Sequence, residues 1–547
     1  SRHDGGYIDD PTRGAENINS ADTTGWRAKF LLNATPDLTI RLSAMGQDID
    51  SDGSSAVDYV TGFPVSPVHL APLNGPLEQQ HPYAEPLRTA YRIFNGTIDW
   101  DLGWATLTSA SSYGRFDRRA ITDYTGILGG PSGPILAPFG ESSAYIDEHF
   151  TSDKFTQEVR LASPSSDQLE WMVGYFYTKE STEQQQAIRF GPPNGPLAID
   201  ILRGVTPGGG AGSVPFGPCG GCLGAATVVL TPHYEENAVF ANATYHFTPQ
   251  FDVSLGARYS SNDQRATQLG TGGLDSGANS SSDNATTYSF SPRWRPNDNL
   301  MLYARIATGF RPGGPNTVFA GVIPSTFDPD TLTSYEAGLK ADLVPNVLRF
   351  DVSAFRVDWK DIQLLFLDSS GVGGTSNGGT ARSQGVEWTA TLTPLHGLTA
   401  VWTGAYTDAE LTEAAPALYA ADGAALPYVP KWATTLNVDY QWAAFGDATA
   451  YVGATARYIG ERSSAYGALN FLLLGDPQVD LPSNTQVDVR AGVDFDRYGI
   501  EVFARNIGNE DAPLTFSGFT QTAPNALNGA ATVPRPQTIG VELTARF

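Results

Sequence analysis

Fourteen residues at the end of the chain, Pro534 to Phe547, most constrain what it can fold into: P-R-P-Q-T-I-G-V-E-L-T-A-R-F. From Ile539 they alternate without a break. Ile539, Val541, Leu543, Ala545 and Phe547 fall on one side, and Gly540, Glu542, Thr544 and Arg546 on the other. Successive side chains of an extended chain point to opposite faces, so this is a strand with one apolar and one charged face. It fits a half-buried soluble sheet or a sheet whose apolar face meets lipid, and recurrence of the pattern decides between them.

The pattern recurs along the whole chain. Phe251, Val253, Leu255, Ala257 and Tyr259 alternate with Asp252, Ser254, Gly256 and Arg258; Tyr335, Ala337, Leu339 and Ala341 with Glu336, Gly338, Lys340 and Asp342. Val487, Val489, Ala491, Val493 and Phe495 do so with Asp488, Arg490, Gly492 and Asp494. The polar positions carry both signs of charge, which suits water or another polar surface and not a core. The apolar positions must then face something oily.

Turn residues divide these strands into hairpins. Short turns fall near Pro36, Gly103, Ser166, Pro249, Asn297, Pro345, His396, Gly446 and Arg497, the last six spaced about fifty residues apart. Two strands, over about 26–34 and 38–48, flank the first turn. Long connections rich in Gly, Pro, Ser and Asn lie on the opposite side, over about 50–90, 120–150, 180–233, 262–286, 312–330, 366–382, 410–428, 461–483 and 508–533. Short turns on one side and long loops on the other are the asymmetry of outer-membrane barrels, whose strands need only about ten residues to cross at a tilt.

Composition agrees. Mean hydropathy is −0.21 and no apolar run reaches the length of a membrane helix, yet alternation hides a lipid-facing surface from both measures. The 23 Tyr, 27 Phe and 10 Trp suit girdles at two membrane interfaces, although sugar-binding sheets are aromatic too. A net charge of −24 argues against nucleic acid as a partner. The fold class expected is therefore all-β, a transmembrane antiparallel β-barrel.

Nine short turns give eighteen strands, and the terminal one makes nineteen. An open sheet in lipid leaves backbone groups unsatisfied at both edges. The opening S-R-H-D-G-G-Y-I-D-D-P contains no signal peptide or cleavage site and reads as the outer end of a strand already in progress. Strands upstream of Ser1 in the natural protein are expected to close the barrel.

Several segments, in order, resemble TonB-dependent receptors of the bacterial outer membrane. They are F-T-Q-E-V-R-L-A-S (155–163), W-M-V-G-Y-F-Y (171–177), Y-A-R-I-A-T-G-F-R-P-G (303–313), Y-E-A-G-L-K (335–340), A-R-S-Q-G-V-E (381–387), F-A-R-N-I-G-N (503–509) and the final strand ending on an aromatic. The resemblance implies a 22-stranded barrel with a plug inside, of which this chain covers about 19 to 20 strands. It implies import of a scarce nutrient, such as an iron–siderophore-like chelate, with energy from the TonB–ExbB–ExbD complex. Residues 1–547 would be the barrel domain. The TonB box, the plug and about the first three strands have no counterpart, and G-Y-I-D (6–9) resembles the outer end of strand three. Implied partners are the energy-coupling complex through the missing N-terminal region, the plug, outer-membrane lipid with lipopolysaccharide, and a small-molecule ligand.

Candidate site residues fall into four groups. Asp48, Asp50 and Asp52, in D-I-D-S-D-G, match the first half of a calcium loop, but Tyr59 stands where the bidentate Glu belongs; an acidic turn is the plainer reading. No cofactor is required, and Ca2+ in an outer loop is the one candidate. Histidines His69, His81, His149 and His233, in or beside outer loops, could bind a metal chelate or be merely solvated. Tyr83, Tyr124, Phe139 and Phe216 could stack on a ligand or pack the loops together, and Arg311, at the outer end of its strand, joins the candidate contacts. Arg258, Arg305, Glu336, Lys340, Glu387, Asp488, Arg490 and Glu542 are expected to face the lumen, bonded to the plug, to water or to one another.

Cys219 and Cys222, in P-C-G-G-C-L, are expected to form a loop disulfide, since Gly220 and Gly221 permit the tight turn. That pairing implies an extracytoplasmic setting. A redox-active C-x-x-C is the rival, without the βαβ context such a site uses. No G-x-S-x-G or H-E-x-x-H is present and the Gly-rich runs lack G-K-[ST], so the expectation is not an enzyme. The rival readings are a passive porin, a structural barrel partner in a complex, a barrel enzyme, and a soluble kelch-like propeller, whose period is also about fifty residues.

Overall fold

In the computed structural model the described residues are 1–61, 70–125, 143–165, 168–190, 226–270, 277–316, 325–367, 373–467, 477–523 and 526–546. Among them, twenty strands join into one antiparallel sheet. β1 (Arg2–Asp4) pairs with β2 (Ala21–Thr35), which forms a hairpin with β3 (Leu38–Ser51). There follow β4 (Leu87–Asp101), β5 (Thr106–Asp123), β6 (Ala144–Ala162), β7 (Leu169–Phe190) and β8 (Ala226–Thr248). Next come β9 (Phe251–Gly270), β10 (Gly277–Asn297), β11 (Leu300–Arg311), β12 (Asp330–Val344) and β13 (Leu348–Lys360). β14 (Thr380–Leu395), β15 (Leu398–Leu411), β16 (Trp432–Ala443) and β17 (Thr449–Ile459) lead to β18 (Asn484–Phe495), β19 (Tyr498–Arg505) and β20 (Thr538–Ala545). Each strand pairs with the next along the chain. All the expected short turns link consecutive strands; Ser166 itself lies outside the described residues.

Left-handed backbone explains several of these turns. Gly103, Gly397 and Gly446 take φ of 84°, 85° and 57°, and Asn346 takes 62°. Glycine and asparagine adopt this conformation at the least steric cost.

The register puts like with like. On β20, Ile539, Val541 and Leu543 lie opposite Ala504, Val502 and Ile500 of β19. Ile539, Val541 and Leu543 are 71%, 63% and 75% exposed, covered by no surface among the described residues. The same apolar face runs through Val489, Val452, Leu436, Trp402, Val386, Tyr335, Ile306, Phe290, Leu255, Val239, Val173, Val159, Tyr113, Phe94 and Leu42, all exposed. Apolar area this continuous is matched to lipid. Phe547 lies outside the described residues.

Aromatic residues ring the turn end. Trp104 and Trp171 lie 6.5 Å apart, Tyr245 and Phe247 4.7 Å, Phe445 and Phe495 5.6 Å, and Tyr440 stacks on Trp442 at 5.3 Å. Tyr and Trp hold such a level because one end of each ring system is apolar and the other polar.

The outer end departs from the sequence reading. Residues 226–233 and much of 262–286, expected as loop, are strand: β8, β9 and β10 are 23, 20 and 21 residues long. Backbone pairing continues above the lipid with polar residues on both faces, where alternation is no longer required. Arg2–Asp4 supplies a twentieth strand.

β20 pairs only with β19 and β1 only with β2 among the described residues, yet the two ends of the sheet meet at the outer rim. A four-stranded sheet there pairs Ala526–Thr532, from the β19–β20 connection, with Ala56–Thr61, from the β3–β4 connection. Beneath it Ile8, Ile18, Val57, Tyr59, Val479, Leu481, Phe516 and Val533 form a buried core. Arg535 adds an ion pair with Asp4 at 3.4 Å and a hydrogen bond to the Gly5 carbonyl at 3.3 Å.

Candidate functional site

The sheet's second face is polar. Neighbouring strands place opposite charges within reach of each other, and the register keeps both partners on one face. Arg258 pairs with Glu236 at 2.6 Å and lies over the Phe176 ring at 4.9 Å. Lys340 reaches Asp351 at 3.5 Å, and Asp488 reaches Arg457 at 2.6 Å. Arg490 bridges Asp439 at 2.6 Å and Glu501 at 3.7 Å. The Tyr303 hydroxyl donates to Glu336, whose strand partner is Arg305.

Arg305, Glu387 and Glu542 lie on this face with no ion-pair partner within the described residues. Lys340, Asp351, Ser353, Glu387, Thr403 and Arg457 line one cavity of about 520 Å³. The sheet thus presents a wall of fixed charges, most of them paired across strands. It can hold a polar body by hydrogen bonds without presenting it one net sign.

At the outer rim His81 is a structural cation. Its Nδ1 meets Glu85 Oε2 at 2.8 Å and its Nε2 meets Asp58 Oδ1 at 3.2 Å. Burial alone would push its pKa down, but the hydrogen bonds and charges of Asp58 and Glu85 outweigh it and raise the value to about 10. With both nitrogens protonated the ring donates twice and offers no lone pair. Glu85 also accepts from the Asp123 backbone N–H at 2.8 Å, and Asp123 accepts from the Tyr83 N–H at 2.9 Å. Burial raises the Asp123 pKa. The sequence reading missed Asp58 and Glu85; their separations from His81, 23 and 4 residues, carry no periodic signal.

Tyr83 is buried, its hydroxyl 3.0 Å from Ser143 Oγ and its ring 4.6 Å from Tyr145. Tyr124 follows β5 half-buried, and burial raises its phenol pKa. Arg311 pairs with the buried Asp330, donates to the Gln363 carbonyl at 3.0 Å and lies 5.7 Å from the Trp359 ring. His149 and His233 stand on strands β6 and β8, not in loops, 3.3 Å from Asp117 and 3.1 Å from Ser181 respectively. His69, Phe139, Phe216, Cys219 and Cys222 lie outside the described residues.

The acidic motif does not curl. Asp48 and Asp50 belong to β3, where Arg92 holds Asp48 through two bonds of 2.8 and 2.9 Å and Arg88 holds Asp50 at 2.6 Å. Asp52 accepts from Ser20. Extended backbone with arginines opposite replaces the expected turn, and among the described residues no group of three or more His, Cys, Asp or Glu converges as a metal cluster.

Known proteins show the same architecture. The family described as TonB dependent receptor-like, beta-barrel, matches residues 21–509. The metal-pseudopaline receptor CntO of Pseudomonas aeruginosa is 29% identical over 326 residues, 58% of this chain and 43% of that protein. The pesticin receptor of Yersinia enterocolitica is 31% identical over 159 residues, 28% of this chain and 23% of that receptor. Among solved structures, the ferric yersiniabactin uptake receptor FyuA from Yersinia pestis superposes with a TM-score of 0.75 at 16% identity, over 100% of this chain and 74% of that one. The siderophore receptor PiuA from Acinetobacter baumannii gives 0.72 at 17%, over 97% and 75%. The chain therefore spans less than half the length of the first of these sequence relatives.

Proposed function

Because this chain belongs to the TonB-dependent receptor family, whose β-barrel domain it matches over residues 21–509, we propose that it is the wall of a transporter that captures a metal chelate of the siderophore type. Its place is the outer membrane of a Gram-negative bacterium, and its family is one of receptors and transporters.

The observation that carries the reading is the charged inner face of so wide a sheet. Side chains of a small barrel fill its interior, whereas barrels of this size hold a channel or a plug. Fixed charges such as Arg305, Glu387 and Glu542, unpaired among the described residues, suit a polar plug domain. In this proposal the rest of the natural protein supplies the plug, about two further strands with the remainder of β1, and the segment that meets TonB. Ligand capture falls to the outer loops, where His69, Tyr124, Phe139 and Phe216 are candidate contacts, while His81, Tyr83 and Arg311 hold the rim. A Cys219–Cys222 disulfide would brace one such loop.

Metallophore receptors among the relatives favour a chelated metal as cargo. Cells carrying the full-length protein should accumulate a radiolabelled metal–chelate complex only while the proton gradient stands. Accumulation that survives an uncoupler would identify a passive porin instead.

A further inference from the structure

Aromatic rings of the inner face lean over glycines of neighbouring strands. Phe240 covers Gly174, Tyr303 covers Gly338, Tyr451 covers Gly492 and Phe503 covers Gly540, each pair directly opposite in register. A Cβ at Gly338 would sit 2.7 Å from the Tyr303 ring, a distance close packing does not tolerate. The glycine therefore gives the ring its seat along the wall.

Two of these rings are tyrosines, and both hydroxyls end on carboxylates. Tyr451 of β17 reaches across Gly492 of β18 to Glu501 of β19, Oη to Oε2 2.9 Å. Glu501 is also 3.7 Å from Arg490, which stands over the Tyr451 ring and pairs with Asp439. That carboxylate belongs to a closed network. Tyr303 donates to Glu336 in the same way, but here no cation completes the set among the described residues.

The cation that could do so is close at hand. Arg305 of β11 lies directly opposite Glu336 of β12, the placement that favours a cross-strand ion pair. No ion pair joins them; Glu336 turns instead to Tyr303, its diagonal neighbour on the same face. A hydrogen bond to a charged acceptor outweighs a partly exposed ion pair, for which two flexible side chains must give up rotamer freedom. The tyrosine thus keeps Glu336 and Arg305 apart and leaves both charges available on the inner face. Its ring also lines the cavity of about 520 Å³ that Glu387 borders.

We propose that Tyr303 is a positioning residue: seated over Gly338, it withholds Glu336 from Arg305 so that these two charges grip oppositely charged side chains of the domain inside the barrel. The proposal rests on a plug filling the lumen, as inferred above. A carboxylate already held in place loses less rotamer entropy on binding than a free one. Tyr451 has the same seat, but its carboxylate is already met by Arg490, so it serves the wall alone.

The test is ion conductance of the full-length protein in planar bilayers as urea is raised, which reports release of the lumen's occupant. The wild type should be closed without urea. Tyr303→Phe keeps the ring and removes the hydroxyl; it should raise conductance at a fixed low urea concentration about tenfold, the effect of losing one hydrogen bond to a charged group. Tyr451→Phe should stay at the wild-type level. Heat-dependent electrophoretic mobility checks that each barrel is folded. Wild-type conductance from Tyr303→Phe, or an equal rise from Tyr451→Phe, would overturn the assignment and leave the transporter intact as a proposal; a wild type already open without urea would overturn both.

Discussion

Two walls of one sheet differ in height. Strands β6 to β10 run 19 to 23 residues, and β16 to β20 run 8 to 12. A tilted strand crosses a bilayer in about 9–11 residues, so the short wall is little more than the crossing and the tall wall rises about ten residues beyond it. Above Tyr177 and Tyr259 the outward positions of the tall wall turn to Lys179, Glu183, Asp263 and Arg265. Alternation therefore extends as far as lipid does and no further. The tall wall is held by hairpin pairing; the short wall is capped by loops with a core of their own.

If that division is right, the deepest damage comes from emptying the cap. Phe516 is 1% exposed, and Phe516→Ala should cost about 3–5 kcal/mol of local stability. Hydrogen exchange should accelerate over 515–532 and 56–61 and leave β7 to β10 as slow as before; equal acceleration in the tall wall would abolish the distinction.

Arg462 is the next largest. Its guanidinium, 8% exposed, donates to the carbonyls of Gly460, Pro482, Pro513 and Leu514 with no carboxylate among them. Arg462→Met should cost about 1–3 kcal/mol by orphaning those carbonyls, read as faster proteolysis in the loops above β17 and β19.

His81 sharpens the comparison by pH. Its value in the fold, about 10, stands above the ordinary 6.5, so its contribution is complete below about pH 6.5 and is lost as pH climbs toward 10. Protection of the 70–86 segment should fall over that window in the wild type. In His81→Gln it should be lower and flat; an unchanged slope would remove His81 as the cause.

The smallest effect belongs to the tall wall's ion pairs. Lys154 and Glu180, 3.1 Å apart, are 53% and 35% exposed, and Lys154→Ala should cost less than about 1 kcal/mol in thermal unfolding. A larger loss would mean the tall wall rests on charges as well as backbone pairing.

The membrane part was legible because lipid enforces a period of two and because turns need particular residues. Gly103, Asn346, Gly397 and Gly446 mark four of the turns by chemistry alone. The tall wall was not legible. Ser280, Ser281, Ser282, Asp283 and Asn284 carry loop composition yet lie in β10, because both of their faces are polar and only pairing with β9 holds them extended. The cap was hidden for another reason: Val57 and Phe516 are neighbours in space but 459 residues apart in the chain.

The side of β20 that meets lipid decides whether the sheet is a membrane wall. Nitroxide labels placed singly at Gly540, Val541, Glu542 and Leu543 of the full-length protein in bilayers would report it through collisions with oxygen and with a water-soluble nickel complex. Val541 and Leu543 should favour oxygen, and Gly540 and Glu542 the nickel complex or neither. Val541 and Leu543 shielded from both reagents, as in a compact core, would contradict the account.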